Sequence, residues 1–381
     1  MTSEAHTIAK RTLHSTAAEP ERAFLVAADL KRPASDGRWR TEASLEELAL
    51  LARTAGATVV GETVQHLEHH NPGTYIGKGK VGEIVAEGPD LDYTTVIFDD
   101  ELSPSQQRNL EKALDVKVLD RTALILDIFA QHARTREGRL QVELAQLEYI
   151  LPRLRGQWSH LERLGAGIGT RGPGETQLET DRRLIRERIA RLKRGIEEVR
   201  QQRALHRRQR ARQGIPVVSL VGYTNAGKST LMRALSGADV LVQDQLFATL
   251  DPTTRRVRLP SGGPALLTDT VGFIQKLPTL LIAAFRATLE ELEEAMLLLH
   301  VVDITHPDAR NQADTVEATL SDLGLADRPK LLVLNKIDQM TNEGFPTWAD
   351  GGIPVSAAKK IGLDGLLKEI EAALAAGEIQ R

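Results

Sequence analysis

The chain has 381 residues, 41% hydrophobic and 27% charged, enough apolar material for the cores of two or three domains. It has no cysteine, which excludes disulfides, zinc–thiolate sites and thiol nucleophiles, and an aromatic content of 4% leaves few platforms for stacking single-stranded bases. The net charge of −3 is unevenly divided: residues 182–212 carry 13 Arg or Lys against 3 Glu, a local +10 that leaves −13 on everything else, which points to a polyanionic partner at one place.

The first residues, MTSEAHTIAK, contain no apolar stretch of signal-peptide type, and no run approaches the roughly 20 apolar residues of a membrane span. A cytoplasmic protein without a membrane anchor is expected. Residues 20–136 alternate short apolar runs with helical periodicity. Strands are predicted at 23–30, 57–64, 93–98 and 116–119, the third closing on Asp99-Asp100, and helices at 45–55, at 103–114 and from Thr122. Strands alternating with helices imply a small parallel α/β domain.

Residues 137–213 lose strand character. Leu140, Leu144, Leu147, Leu151 and Leu154 recur at spacings of four and three, and Ile185, Ile189, Leu192, Ile196 and Val199 repeat the pattern. Each half therefore carries a narrow heptad seam. Between them GAGIGTRGPGE, at 165–175, is too rich in glycine for a helix. The pattern predicts an antiparallel helical hairpin, with Pro152 kinking or interrupting its first helix. Such a seam can also pair between chains, but the glycine-rich connection favours folding back within one chain and a monomer.

Residues 214–381 are again α/β, with near-continuous apolar runs at 217–221, 296–302 and 331–334 that predict a mostly parallel sheet buried on both faces. The first run enters Gly222-Tyr223-Thr224-Asn225-Ala226-Gly227-Lys228-Ser229, a GxxxxGKS phosphate loop in strand–loop–helix context. Its backbone N–H groups and the positive end of the next helix can cradle phosphates. Lys228 would reach the β- and γ-phosphates, and the Ser229 hydroxyl would ligate Mg²⁺.

Asp269-Thr270-Val271-Gly272 follows the apolar run at 265–267; the carboxylate suits the metal, usually through water, and the glycine N–H suits the γ-phosphate. Alone, DxxG is a weak pattern, but its place one strand pair after the phosphate loop gives it weight. Asn335-Lys336-Ile337-Asp338 matches NKxD. Asp338 would accept two hydrogen bonds from the N1–H and exocyclic amine of guanine, a donor pair that adenine lacks. Asn335 would tie this loop to the phosphate loop, and the Lys336 stem would cover the base. Val355-Ser356-Ala357, before a helix from about Leu363, reads as the last base-contacting loop, with the Ala357 N–H toward the base carbonyl. A switch segment at 246–255 must supply a second hydroxyl to the metal, and spacing alone leaves Thr249, Thr253 and Thr254 open. In this order the motifs mark a P-loop G domain for GTP or GDP.

Carrying those motifs, the chain resembles the HflX family of translation-factor-related GTPases along nearly its whole length. The resemblance also rests on PGTYIGKGK at 72–80, Asp120-Arg121-Thr122, GTRGPGETQLETDRR at 169–183 and the switch sequence FATLDPTTR at 247–255. It implies a bacterial-type GTPase that binds the large ribosomal subunit and splits or rescues stalled ribosomes under stress. It puts the metal-binding threonine on Thr249, beside Ser229 and Asp269, and leaves Lys228, Thr249 and Gly272 as the catalytic set. Nucleotide contacts are then expected from Gly222, Tyr223, Thr224, Asn225, Ala226, Gly227, Lys228, Ser229 and Thr230, and from Phe247, Ala248, Thr249, Leu250 and Asp251. Asp269, Thr270, Val271, Gly272, Asn335, Lys336, Ile337, Asp338, Ser356, Ala357 and Ala358 complete the set.

The family directs its hairpin into ribosomal RNA, which makes Arg182, Arg183, Arg186, Arg191, Lys193 and Arg194 the candidate rRNA contacts, against the competing reading of a solvated helix face. Gly77-Lys78-Gly79-Lys80, linked in the family to a second nucleotide activity, lacks phosphate-loop spacing and reads as a tight turn or an RNA contact. Phe273 stands directly after DxxG, where small GTPases often place a water-orienting glutamine. With Arg255 and Arg256 the nearest arginines, slow intrinsic hydrolysis stimulated by the ribosome is expected. Two other partner classes fit the same motifs: a protein effector gripped by the hairpin, and tRNA or an assembling subunit.

Overall fold

The computed structural model describes residues 20–30, 40–154, 173–212, 214–237, 246–247, 249–278, 280–281, 292–340 and 344–379. Ala248 and most of the glycine-rich connection lie outside the described residues. The first sheet contains β1 (Arg22–Leu30), β2 (Thr58–Leu67), β3 (Thr95–Phe98) and β4 (Lys117–Asp120), all parallel, in the order β2-β1-β3-β4. Alternation along β1 decides which layer each side chain joins. Ala23, Leu25 and Ala27 share a core with α1 (Thr41–Thr54) and α4 (Arg121–His132), whereas Phe24 and Val26 join α2 (Lys78–Leu91) and α3 (Pro104–Leu114).

Helix α3 begins with a reciprocal capping box, Ser103 Oγ accepting from Gln106 N at 3.2 Å and Gln106 Oε1 from Ser103 N at 2.9 Å. Helix α2 is absent from the sequence reading. Gly77 is its N-cap, so the glycine–lysine stretch opens a helix rather than making a tight turn alone, and Lys80 pairs with Glu83. Gly79, Gly82, Gly88 and Pro89 argue against helix there, at about 1 kcal/mol per glycine. Burial of Val81 and Ile84 overrides that local preference.

The hairpin pairs α5 (Arg136–Arg153) with α6 (Pro173–Arg212), which at 1.5 Å per residue is about 60 Å long. Glu137 with Arg203, Leu140 against Gly195 and Glu143 with Arg188 follow one another in opposite directions, as an antiparallel pair requires. Leu192 is buried, and Ile185, Ile189, Ile196 and Val199 are half-buried among more exposed neighbours. Pro152 falls in the last turn of α5, which stops one residue later. The seam accounts for only one side of α5. Val142, Ala145 and Tyr149 turn the other way and join the core beneath α4.

The second sheet has the order β10-β9-β8-β5-β7-β6, formed by β5 (Val217–Gly222), β6 (Thr253–Arg258), β7 (Pro264–Asp269), β8 (Leu297–Asp303), β9 (Lys330–Asn335) and β10 (Ile353–Pro354). The β6–β7 pair is antiparallel and the other pairs are parallel. Val218, Leu220, Leu299 and Val301 pack with α7 (Lys228–Ser236) and α9 (Leu363–Ile379). On the other face Val221 and Leu298 join Val316 of α8 (Ala309–Asp322), and this layer is continuous with Leu48 and Phe129 of the first sheet's core. That shared core brings the carboxyl ends of the first sheet against the phosphate loop.

Candidate nucleotide and metal site

The loop after β5 requires backbone that most residues avoid, with Asn225 at φ 60° and Gly227 at φ 92°. A side chain at 227 would run into the Asn335 amide. Lys228 opens α7 in a buried position, and its Nζ donates to Gly222 O at 3.0 Å and Tyr223 O at 2.8 Å. Burial pushes its pKa down to about 8, opposed by the Asp269 carboxylate. Thr224 Oγ1 is buried with no hydrogen-bond partner among the described residues, and Thr230 is half-buried in the first turn of α7.

At the end of this loop three oxygens from three segments converge. Ser229 Oγ lies 2.6 Å from Asp269 Oδ2 and 2.8 Å from Thr249 Oγ1, which is itself 3.0 Å from Asp269 Oδ2. Thr253 and Thr254 enter β6 instead, where Thr254 meets Thr268 at 3.1 Å. Of the three threonines open on spacing, Thr249 is the one brought to the cluster. Burial raises the pKa of Asp269, opposed by Lys228, Ser229, Thr249 and the Thr270 backbone, and its buried Oδ1 meets hydrogen-bond geometry with none of the described residues. A buried carboxylate with a spare oxygen beside two hydroxyls fits Mg²⁺, a hard cation that takes oxygen ligands.

The DxxG turn lies flat against the phosphate loop. A Cβ on Gly272 would stand 2.9 Å from Thr224 Cα and 3.0 Å from Lys228 Nζ. Thr270 Oγ1 donates to Leu220 O at 2.6 Å, Thr224 N donates to Phe273 O at 2.7 Å, and Val271 and Phe273 are buried.

Asn335 does tie two loops together, its Nδ2 donating to Ala226 O at 2.8 Å. Its Oδ1 also accepts the Ala357 N–H at 3.0 Å, the donor that the sequence reading aimed at the base carbonyl. A buried amide needs partners at both ends, and here the second is that backbone group. Lys336, at φ 66°, reaches Asp303 Oδ2 at 2.7 Å. The single turn Ile337–Gln339 leaves Asp338 exposed, with no hydrogen bond to its carboxylate among the described residues. Ser356 Oγ accepts from Lys359 N at 3.0 Å, and Ala358 is exposed.

The side chains of several residues expected at the nucleotide face the first sheet. Phe247 and Leu250 are buried in the shared core, with the Phe247 ring edge-on to Phe129 at 4.7 Å. Asp251 accepts from Arg134 N at 2.9 Å, Thr135 N at 2.8 Å and the Thr135 hydroxyl, so both carboxylate oxygens point to the start of α5. Tyr223 Oη donates to Glu47 and accepts from Gln275 N at 2.8 Å. Glu47 pairs with buried Arg121, Arg121 with Asp99 at 3.0 Å, and Lys276 reaches both Asp99 and Asp100. Burial works to raise the Asp99 pKa, but Arg121 and Lys276 outweigh it and hold the carboxyl low. Sequence signalled these residues only as a charged strand end and as the stretch around Arg121.

The basic face of α6 is partly used inside the protein. Lys193 meets Glu148 at 2.8 Å, while Arg182 and Arg186 lie 3.9 and 3.6 Å from Glu179 and Arg183 lies 4.0 Å from Glu187. Arg191 and Arg194 are exposed and have no ion pair among the described residues. Among those residues no helix is long and apolar enough to cross a membrane.

Three family models match in succession: a "GTP-binding GTPase N-terminal" region at 42–130, a "GTP-binding GTPase Middle Region" at 132–210 and a "50S ribosome-binding GTPase" domain at 217–336. The chain is 53% identical to the GTPase HflX of Caldanaerobacter subterraneus subsp. tengcongensis over 94% of this chain and 82% of that one. It is 54% identical to that of Alkalihalophilus pseudofirmus over 87% and 79%, and 49% identical to that of Escherichia coli over 78% and 70%. With the phosphate loop, the DxxG turn and the Asn335 loop brought together, the chain belongs to the HflX family of GTPases and hydrolyses GTP.

Proposed function

We propose that the chain is a GTP-hydrolysing factor of the cytoplasm that binds the large ribosomal subunit and its rRNA as a monomer, and splits or rescues stalled ribosomes. The convergence of Ser229, Thr249 and Asp269 at the end of the phosphate loop carries the reading of the site. These three residues would hold Mg²⁺, which when bound neutralises charge on the β- and γ-phosphates. Lys228 would unfold from the carbonyls of Gly222 and Tyr223 onto the phosphates, and Gly272 would present its N–H to the γ-phosphate. Asp338 would choose guanine.

Phe273 is buried and has no group to orient a water, so the isolated chain should turn over slowly. A site completed by the ribosome can gain on the order of 10³–10⁵ in rate. Ordering of Thr249 and Gly272 by GTP, and their release after hydrolysis, would time departure from the ribosome. Exposed Arg191 and Arg194 on a helix about 60 Å long support RNA as what the hairpin touches.

The test is GTP turnover with and without purified large ribosomal subunits, with ATP as the control nucleotide. Large stimulation confined to GTP is expected. Tight GTP binding without stimulation would move the partner to a protein effector or to tRNA.

A further inference from the structure

We propose that Asp251 is a positioning residue for GTP hydrolysis: by clasping the start of α5 it holds Thr249 at the metal-facing cluster and joins the switch segment to the root of the hairpin. The inference rests on the role given to Thr249 above. Thr249 belongs to neither a helix nor a strand, so what flanks it must fix its place. Two residues before it, Phe247 sits edge-on to Phe129 of α4. Two residues after it, Asp251 Oδ2 accepts from the backbone N–H groups of Arg134 and Thr135 at 2.9 and 2.8 Å, while Oδ1 accepts from the Thr135 hydroxyl.

Thr135 is in turn the N-cap of α5, its Oγ1 accepting from Gly138 N at 3.0 Å. A carboxylate there satisfies amides that precede the helix and faces the positive end of its dipole. Both oxygens of Asp251 are therefore occupied away from phosphate and metal. The anchor is also stiff. Val142, Ala145 and Tyr149 fix α5 into the shared core, and its opposite side carries α6. A two-residue span from such an anchor leaves the Thr249 hydroxyl little freedom, so a displaced hairpin root displaces Thr249, and the reverse follows by linkage.

Gly138 supplies an independent handle. A Cβ there would overlap Asp251 Oδ1 and lie 3.2 Å from Thr135 Oγ1. Gly138→Ala therefore disturbs the clasp while putting a better helix former into α5.

The experiment compares the full chain with Asp251→Ala, Gly138→Ala and Thr249→Ala. It reads single-turnover GTP hydrolysis, affinity for a non-hydrolysable GTP analogue and for GDP in Mg²⁺, and thermal unfolding. Asp251→Ala and Gly138→Ala should each slow hydrolysis and weaken the analogue by about 10- to 100-fold, the scale of small misplacement. GDP affinity should stay within about twofold, since GDP has no γ-phosphate for Thr249 to sense. Gly138→Ala gains a better helix former and should lower the melting temperature less than Asp251→Ala does while slowing hydrolysis as much, which separates positioning from general destabilisation. Amide exchange at Arg134 and Thr135 should be slower with the analogue than with GDP, and Asp251→Ala should erase that difference. If only Thr249→Ala impairs hydrolysis, the clasp is overturned and the site reading stands. If Thr249→Ala is also harmless, both fail, and faster hydrolysis in either clasp variant overturns the inference as well.

Discussion

Lys276, four residues beyond Gly272, places its ammonium 2.6 Å from Asp100 and beside Asp99, at the carboxyl end of β3. Strand order in the first sheet reverses between β1 and β3, the place where open α/β sheets commonly receive a ligand. Here a side chain of the second sheet's own DxxG segment occupies that edge. From Asp99 the polar chain continues through Arg121 and Glu47 to Tyr223 of the phosphate loop.

Arg121 is the member of this chain whose loss should matter most. Its guanidinium is 2% exposed and lies between two carboxylates, so Arg121→Met leaves Glu47 and Asp99 buried against each other. Removing one partner of a buried pair costs about 3–5 kcal/mol. Lys276→Ala should cost closer to 1 kcal/mol, because its side chain is 34% exposed and partly screened. Urea unfolding monitored on both variants measures the two. Equal costs would mean that Arg121 is not the keystone of this contact.

Asp338→Asn addresses base choice. Two hydrogen bonds to a charged group, at about 1.5–3 kcal/mol each, correspond to roughly 10²–10⁴ in affinity. The variant should lose GTP by that order and gain xanthosine triphosphate, whose base offers an acceptor where guanine offers the amine. Competition binding with both nucleotides reads the switch. A variant that kept full GTP preference would remove Asp338 from the base contact.

Local patterns carried most of the second sheet. Lys228, Asp269, Asn335 and Asp338 lie in short motifs whose chemistry depends on neighbours in sequence, so spacing alone located them. The heptad seam was legible for the same reason, since Leu140 meets Gly195 across the hairpin. What sequence could not show was direction. Tyr223, Phe247 and Asp251 lie inside nucleotide motifs, yet their side chains serve contacts to Glu47, Phe129 and Thr135, more than a hundred residues away in each case. Helix α2 was hidden because Gly79, Gly82 and Gly88 obey a tertiary demand against their own propensity.

Acid should weaken the junction between β8, β9 and α8. Glu317 accepts from His300 at 3.1 Å and pairs with Lys330, and these partners outweigh burial to lower its pKa from 4.5 to about 2. A depressed carboxylate contributes stability that is complete above its unfolded value and lost as pH falls through the folded one. The Tm gap between the native chain and Glu317→Gln should therefore be largest above about pH 4.5 and close toward pH 2. The stability difference behind that gap should stay under about 1 kcal/mol, since the Glu317 side chain is 42% exposed. A gap that widened in acid would reverse the assigned sign.

Salt separates the two uses of charge on α6. Each phosphate contact contributes close to one unit to the slope of log affinity against log salt. Arg191→Ala and Arg194→Ala, exposed and without ion pairs among the described residues, should each flatten the slope for rRNA binding by about one unit. Lys193→Ala should change it less, because that ammonium is 2.8 Å from Glu148 and helps close the hairpin. Its stability cost should also be small, about 0–1 kcal/mol for a pair near the surface. If the Arg191 and Arg194 double variant bound large-subunit RNA with an unchanged salt slope, the basic face of α6 would be a solvated surface and the RNA contact would lie elsewhere on the molecule.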